Sequence, residues 1–346
     1  CEDETIFKSG TGPFIIKESK ENKEIYLKRN DKYHRGLPRV TAINCSVFRD
    51  ANSAYEEYQA KRLDYLDTVP IAEIKEIKGA EKYKKCLIQK PVLSIYAIGF
   101  KVNEKPFLGN YLLRRALNYA IDRKAIVENV MGDSYRAIKG PVPVGVAGYN
   151  REMPAYDYNP QKAADLLKEA GYPLGEGLPP LVMAYNKDEG HHMVFQSVAE
   201  QLAQLGVEVK LEPMDWDYYK GELRKMKLKC FRLGWKADYP DADNFLYSLF
   251  HSSQIGLTNF AGYNNQQVDK ILNASREEVK SLQERLKLMN RAEEIIVDDA
   301  PYLWLFQKNA TKLISEQVGS FHIDNMEMVD WYSIELLKAP PEGNKI

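Results

Sequence analysis

One short segment combines residue types that could hold a ligand. It runs from Arg232 through Gly234 and Trp235 to Asp238, at the point where a predicted strand over 229–233 ends. Residues that follow a strand often line a cleft, and an aromatic side chain beside a carboxylate would form a ligand anchor. The same residues also fit a strand-ending turn, with Trp235 in the core and Asp238 capping the next helix. The pattern alone leaves both interpretations open.

The sequence lacks the residue patterns of common catalytic and metal sites. No GxSxG, GxxxxGK[ST], HExxH or GxGxxG motif occurs in it, which argues against several classes of enzyme. The five histidines are scattered, and the adjacent His191 and His192 would project about 100° apart on a helix, so they cannot share one metal. The acidic run 238–243 lacks the central Gly and the distal Glu of a calcium loop. We therefore expect no bound metal and no cofactor.

Composition and charge are those of an ordinary globular protein. The 346 residues include 48 Lys and Arg against 49 Asp and Glu, and the resulting formal net charge of −1 excludes a polycation built to bind nucleic acid. No stretch approaches the roughly 18 to 20 apolar residues of a membrane-spanning helix. The four cysteines have no CxxC spacing, so we expect buried free thiols, with one or two disulfides as the open alternative. The length favours two domains.

Predicted strands and helices alternate along the chain, which indicates the α/β class. Apolar runs predict strands over 14–16, 25–27, 40–48, 181–184, 207–211 and 229–233. Apolar residues at three- and four-residue spacing predict helices over 110–131 with a candidate break at Asp122, over 160–170, over 194–205, and over 276–297. Asn159 and Pro160 are well suited to the start of the second of these helices, and Gly171 to its end.

Five segments follow one another in the order known for a single protein family. They are 10–14 with 25–30, 115–123, 158–160 with 164–173, 234–235 with 237–239, and 259–264 with 268–269. On these motifs the chain resembles the bacterial extracellular solute-binding proteins of family 5, which are the oligopeptide- and dipeptide-binding proteins of ABC importers. Departures from the common family residues at Ser19, Asp31, His34, Asn110 and Gln266 fall at scaffold positions.

The resemblance covers nearly the whole chain and corresponds to the C-terminal two-thirds of family members. It implies an α/β, bilobed fold of the periplasmic-binding-protein type (class II, Venus-flytrap) with the N-terminal portion missing. Residues 1–97 with 307–346 would form the remainder of one lobe and 98–306 the other, with hinges in crossing strands near 95–101 and 303–308. We expect a fragment or an unusually short relative, in which Cys1 is an internal residue rather than a lipidation site.

The resemblance also implies a function. Family members capture peptides in a cleft between lobes, close over them, and deliver them to the permease subunits of an ABC importer without catalysis. Strand edges would pair with the peptide backbone. By this resemblance Asp238 receives the α-ammonium group of the ligand and Trp235 is the neighbouring aromatic. Further candidate lining residues are Tyr185, Asn186, Tyr239 and Asn259, for each of which plain packing or turn chemistry is an equal alternative.

Location and partners follow from the same resemblance. It implies a periplasmic or cell-surface protein, lipid-anchored in a longer form, monomeric, with no membrane span in this chain and no nucleic-acid partner. Three alternatives stay open: the same fold binding an oligosaccharide, haem or a nickel complex; a sensory ligand-binding module of a regulator; and, least favoured, a hydrolase that uses cleft carboxylates.

Overall fold

A computed structural model describes residues 10–104, 109–131, 134–154, 156–277 and 279–337. The chain divides into two compact units. The first contains the residues up to Lys90 and those from Ala310 onward, and the second is Pro91–Asn309. The lobe boundaries proposed from the sequence, after residue 97 and before residue 307, both fall a short way inside the second unit.

The first unit combines a small antiparallel sheet with two helices. Its elements are β1 (Phe14–Lys20), β2 (Glu24–Arg29), β3 (Ala42–Ser46), α1 (Ala51–Gln59), β4 (Tyr65–Leu66), α2 (Ile71–Gly79) and β5 (Leu87–Pro91). Strands β1, β2 and β3 form a meander, which confirms the predicted hairpin. Helix α1 begins after Asp50, whose carboxylate accepts the N–H of Ser53. Apolar residues of both helices, among them Tyr58 and Ile77, form the core of this unit.

The second unit is built on a mixed sheet. Its strands are β6 (Ser94–Phe100), β7 (Tyr135–Ala137), β8 (Leu181–Asn186), β9 (Val209–Met214), β10 (Cys230–Lys236) and β11 (Tyr302–Ile314), which continues into the first unit. The strand order is β11-β6-β10-β8-β9, and β7 also pairs with β11. Strand β8 is parallel to β9 and β10, whereas β6 is antiparallel to β10 and β11.

Helices cover this sheet and close the core of the second unit. They are α3 (Tyr111–Tyr119), α4 (Arg123–Ile126), α5 (Pro160–Glu169), α6 (Glu189–Ala203), α7 (Trp216–Arg224), α8 (Asp243–Phe250), α9 (Gln266–Glu277) and α10 (Leu282–Asp299). Residues of α3 and α6, such as Leu117 and Val198, pack with Ile98, Met183 and Cys230 of the sheet. The α/β class predicted from the sequence is thus confirmed.

Local capping decides where the helices begin, and it corrects one prediction. The predicted break at Asp122 is confirmed, because its carboxylate caps α4. Asn159 caps α5 as predicted, with Pro160 in its first turn. The prediction of a single helix over 276–297 is wrong at its start, since Arg276 belongs to α9. The hydroxyl of Ser281 accepts the N–H of Glu284 and starts α10 there, although the apolar spacing continues across the gap.

Three cysteines, Cys45, Cys86 and Cys230, are free thiols, and the last two are buried. Cys1 and the tail 338–346 lie outside the described residues. No helix in the described part of the chain is both long enough and apolar enough to cross a bilayer.

Candidate ligand-binding site

Strand β10 ends in the segment that the sequence singles out, and one amide on α8 fixes its geometry. The indole Nε1 of the half-buried Trp235 donates to Oδ1 of Asn244, 2.9 Å away. The backbone N–H of Asp238 donates to the same oxygen over 3.2 Å, and Asn244 Nδ2 lies 3.4 Å from Oδ2 of Asp238. Because Asn244 is buried, it holds the indole ring and Asp238 in a fixed relation.

The acidic run that follows β10 contains three carboxylates in different electrostatic settings. Asp241 accepts hydrogen bonds from both Nη atoms of Arg285, at 2.7 and 3.0 Å. Asp243 accepts from Nε and Nη2 of Arg276, each at 2.7 Å. Among the described residues, Asp238 has no cationic partner, and it is exposed. Of the three, Asp238 is thus the carboxylate that no described arginine or lysine neutralises.

Asp243 shows how this segment neutralises a carboxylate. Burial alone would raise its pKa, but hydrogen bonds from Arg276 and Tyr239 outweigh burial and hold the pKa below the usual value. The hydroxyl of Tyr239 donates to Oδ2 over 2.7 Å. The polar atom of Tyr239 is thus engaged within the protein, while its ring is 42% exposed and remains available for contact.

Arg232 places a positive charge on the same strand. Its Nη1 donates to Oδ1 of Asn186 at the end of β8, over 3.1 Å, and its guanidinium lies 5.2 Å from the centroid of the Tyr96 ring. A Cβ atom at Gly234 would lie 2.6 Å from Nη2, so glycine leaves the space that this conformation occupies. Within the described residues, the buried Nε of Arg232 has no hydrogen-bond partner.

His191 and Tyr96 complete the surroundings of Arg232. The hydroxyl of Tyr96 lies 3.2 Å from Nδ1 of His191. Burial lowers the pKa of His191 to about 4, and the neighbouring charge of Arg232 lowers it in the same direction. His191 is therefore neutral near pH 7, and Arg232 carries the charge of this group.

Helix α7 adds an exposed aromatic ring. Trp216 is 52% exposed and stacks on Tyr219 with the ring centroids 6.3 Å apart. The hydroxyl of Tyr219 donates to the backbone oxygen of Arg232 over 2.5 Å, which ties α7 to β10. The sequence analysis assigned a binding role to neither Trp216 nor Arg232. The available signal for Arg232 was a charged side chain between the apolar residues Phe231 and Leu233 of the predicted strand.

The remaining predicted lining residues, Asn186, Tyr185 and Asn259, differ in burial and in the hydrogen bonds that they form. Asn186 contacts the guanidinium described above. Tyr185 is buried, and its hydroxyl lies 2.7 Å from Nδ1 of His192. Asn259 is fully buried, donates to two backbone carbonyls and accepts the N–H of Tyr263. The polar atoms of Tyr185 and Asn259 are thus engaged within the protein, and a lining role for either residue stays a prediction.

The described residues contain no group of three or more His, Cys, Asp or Glu side chains placed to hold a metal. The described residues along β10, after it and on α7 instead include the exposed carboxylate of Asp238, the half-buried Arg232 and the exposed ring of Trp216. These are groups that bind an organic solute by charge and ring contact.

Comparisons with known proteins identify the family of this chain. Residues 4–256 match the family model described as bacterial extracellular solute-binding proteins, family 5 Middle. The chain belongs to this family, as the sequence motifs indicated, and the predicted fold class is confirmed by its solved relatives. HbpA2 from Haemophilus parasuis, for example, superimposes with a TM-score of 0.81 at 25% identity, over 94% of this chain and 64% of that one.

Two curated relatives are similar to it over most of its length. Heme-binding protein A of Haemophilus influenzae is 32% identical over 298 residues, which is 85% of this chain and 53% of that protein. Oligopeptide-binding protein OppA of Bacillus subtilis is 28% identical over 331 residues, 91% of this chain and 60% of that protein. The chain thus spans between about half and two-thirds of the length of the relatives it matches.

Proposed function

We propose that this chain is the ligand-binding part of an extracytoplasmic receptor that captures short peptides. Asp238 neutralises the α-ammonium group of the peptide, and Trp235 and Trp216 supply aromatic contacts to its side chains. The observation that carries the proposal is the unequal treatment of three neighbouring carboxylates, of which Asp238 alone has no arginine among the described residues. A fixed counter-charge is what a desolvated ammonium group requires.

Arg232 gives the proposed ligand a direction. Its guanidinium is close to neutral partners, Asn186 and Tyr96, and to a neutral His191. In the described ranges no carboxylate forms an ion pair with this guanidinium, which suits it to the carboxylate end of a peptide, since the guanidinium fork matches that group. The peptide would then lie along β10, with its amino end at Asp238 and its carboxylate end at Arg232.

Equilibrium binding of a short unmodified peptide, such as trialanine, tests the proposal. We expect Asp238→Asn to weaken binding by about 1.5 to 3 kcal/mol, roughly ten- to hundredfold in Kd, because a hydrogen bond between charged groups is lost. The matched control is Asp165→Asn, which removes an exposed carboxylate on α5 in the same unit and should leave Kd unchanged. Equal affinity of Asp238→Asn and the native chain would remove the anchor assignment.

Partners and location complete the proposal. The family is one of extracellular solute-binding proteins, and B. subtilis OppA is named for oligopeptide binding. We infer from these relatives that the receptor works outside the cytoplasm as a monomer, lipid-anchored in a longer form, delivers peptide to the permease subunits of an ABC importer, and catalyses no reaction.

Haem is a second candidate ligand, favoured by the 32% identity to a protein named for haem binding. Arg232 would then pair with a carboxylate of the porphyrin, with Trp216 and Tyr96 against its ring. Titration with haem, followed by its visible absorption band, separates the two ligands. Haem binding that is insensitive to Asp238→Asn, without peptide binding, would favour this second candidate.

A further inference from the structure

The connection between β2 and β3 concentrates positive charge. Residues 28–39, here termed the basic turn, contain five lysines and arginines and one aspartate, whereas the whole chain has a formal net charge of −1. Lys32, Arg35 and Arg39 are exposed. A cluster of like charges on one part of a surface creates a local field that attracts a partner of opposite charge.

Only part of this charge is neutralised within the protein. Nε of Arg29 donates to Oδ1 of Asp31 over 3.0 Å, and Arg39 forms an ion pair with Glu335. In the described part of the chain, no carboxylate forms an ion pair with the other three cations, which are Lys28, Lys32 and Arg35. These three charges are therefore available to a partner from outside.

The opposite end of β2 shows a different arrangement of charge. Residues 20–24, which join β1 to β2, include two lysines and two glutamates, and Nζ of Lys20 donates to Oε1 of Glu24 over 2.5 Å. Lys20 also lies 3.3 Å from Glu18. Charges of both signs thus compensate one another at that end, whereas the basic turn keeps its excess of positive charge.

Hydrogen bonds hold the basic turn in a defined conformation. Nδ2 of the buried Asn30 donates to the oxygen of Gly12 over 2.9 Å, and its Oδ1 accepts the N–H of Lys32 over 3.0 Å. The N–H of Gly36 donates to the oxygen of Tyr33 over 3.1 Å, and the φ of +100° at Gly36 favours glycine. Because the backbone is already ordered, binding through this turn costs little backbone entropy.

Two tyrosines and one leucine add apolar surface to the basic turn. The hydroxyl of Tyr332 donates to the backbone oxygen of Arg35 over 2.5 Å, and the guanidinium of Arg35 lies 5.2 Å from the centroid of that ring. The rings of Tyr33 and Tyr332 are 5.2 Å apart. Leu37 is 55% exposed. A membrane–water interface accommodates this combination, since cations contact headgroups while tyrosine and leucine enter the boundary with the acyl chains.

We propose that the basic turn docks on the phosphate headgroups of an anionic bilayer. The inference rests on the extracytoplasmic, lipid-anchored location in the proposed function, and it names a second contact of that receptor with the membrane. Each lysine or arginine at such a surface strengthens binding about fivefold. Stable anchoring takes a second signal, such as a basic patch, in addition to one acyl chain. The basic turn belongs to the first unit and shares no residue with the site at β10.

Co-sedimentation with extruded vesicles tests the docking surface. The probes are vesicles of phosphatidylcholine alone and vesicles of equal parts phosphatidylcholine and phosphatidylglycerol. We expect the chain to bind the anionic vesicles about tenfold or more tightly than the neutral ones. This preference should shrink severalfold when the ionic strength rises from about 0.1 to about 1 M, because the Debye length shortens from about 10 to about 3 Å.

Two double variants locate the contact on the basic turn. Lys32→Gln with Arg35→Gln removes two of the available charges and should weaken binding to anionic vesicles about tenfold or more. The matched control is Lys17→Gln with Lys23→Gln, which removes two exposed lysines elsewhere on β1 and its connection to β2. It should change vesicle binding little. All four side chains are exposed, so both double variants should keep the native midpoint of urea unfolding.

Leu37→Ser distinguishes a bilayer from a soluble polyanion. The variant keeps every charge but removes the apolar side chain that would enter the bilayer, so binding to anionic vesicles should weaken about threefold or more. Retention on immobilised heparin, which offers negative charge without an apolar phase, should stay the same.

Three results would overturn the docking surface. They are equal binding to neutral and anionic vesicles, equal losses in the two double variants, and vesicle binding that Leu37→Ser leaves unchanged. Calorimetric titration with trialanine keeps this inference separate from the proposed ligand. Lys32→Gln with Arg35→Gln should bind trialanine like the native chain, and Asp238→Asn should bind vesicles like the native chain. Absence of vesicle binding alone therefore contradicts the docking surface, and absence of trialanine binding alone contradicts the anchor at Asp238.

Discussion

Asp238 and Glu293 are two of the carboxylates in the second unit that lack a cationic partner among the described residues, and they differ in burial. Asp238 is exposed after β10, where water or a ligand can reach it. Glu293 on α10 is 2% exposed, accepts the N–H of Val142 over 3.1 Å through Oε1, and has no described partner at Oε2. Burial raises the pKa of Glu293 to about 8. Burial without a cationic partner thus favours the protonated form of the Glu293 carboxyl group.

Two arginines of the second unit, Arg123 and Arg232, differ in the same way in how much of the side chain is buried. Arg123 is buried and donates to the backbone oxygens of Asn118, Ile121, Tyr156 and Trp304, and burial lowers its pKa to about 10. Arg232 is half-buried and, in the part of the chain that the structure describes, leaves its Nε without a partner. The donors of Arg123 are thus taken up by carbonyl groups of the protein, whereas Arg232 keeps one donor without a described partner.

Glu293→Gln should give the largest effect. A raised pKa means that the folded state keeps a proton that the unfolded state has lost, so native stability falls as pH rises from the usual glutamate range to about 8. The steepest slope is about 1.4 kcal/mol per pH unit. Glutamine keeps the acceptor for Val142 without this slope, so the variant should gain relative stability of a few kcal/mol by about pH 8.

Urea unfolding at several pH values measures that gain. Glu294→Gln is the control, because this neighbouring carboxylate is only partly buried and pairs with Arg291. It should keep the native slope. If the stability of Glu293→Gln and that of the native chain changed in parallel with pH, Glu293 would be ionised in the folded state. The contrast drawn between Glu293 and Asp238 would then be wrong.

The next largest effect concerns Asp243, the buried carboxylate of the acidic run that pairs with Arg276. Arg276→Ala leaves the buried Asp243 without its partner and should lower the free energy of unfolding by about 2 to 3 kcal/mol. Asp243→Asn should cost about 1 kcal/mol or less, because Arg276 is 37% exposed and can be hydrated. Denaturant unfolding of both variants measures the asymmetry, and equal losses would argue against it.

Asn244→Ala tests whether peptide affinity depends on the position of the Asp238 carboxylate as well as on its charge. The variant removes the oxygen that accepts from Trp235 and Asp238, so we expect peptide affinity to fall by about 1 kcal/mol with the Asp238 charge still present. Calorimetric titration gives the affinity. Tyr239→Phe loses a hydrogen bond to Asp243 instead and should leave affinity unchanged; a loss equal to that of Asn244→Ala would contradict the positioning role.

The last prediction is that protonation of His191 has no effect on peptide affinity near neutral pH. Because the pKa of His191 lies near 4 and the α-amino group of a peptide loses its proton only near pH 8, peptide affinity should be flat between about pH 5.5 and 7. Peptide titrations across this range measure it, with His191→Gln as the comparison variant. A transition near pH 6.5 that His191→Gln removes would show that His191 titrates at the site.

Local signals in the sequence sufficed for much of the fold. Asn159 with Pro160, and Asp122, mark helix starts because capping is decided within a few residues. The start of α10 was missed because apolar spacing continued past the cap at Ser281. The resemblance singled out Asp238, but no local pattern in the acidic run shows that Asp241 and Asp243 pair with arginines.

The partners that make this distinction are distant in sequence. Arg276 reaches Asp243 across 33 residues, and Arg285 reaches Asp241 across 44. Such pairings follow from how α8, α9 and α10 pack, which no local pattern specifies. The burial of Asn259 and Tyr185 is likewise a property of tertiary packing.

The account depends on Asp238 as the anchor of a peptide's leading amine, and a comparison of two ligands addresses that most directly. Calorimetric titration should show that the native chain binds trialanine about tenfold or more tightly than N-acetyl-trialanine, since acetylation removes the ammonium charge. Asp238→Asn should bind both weakly and alike. If the native chain does not distinguish the two peptides, or if Asp238→Asn still does, the charge at Asp238 is not the anchor.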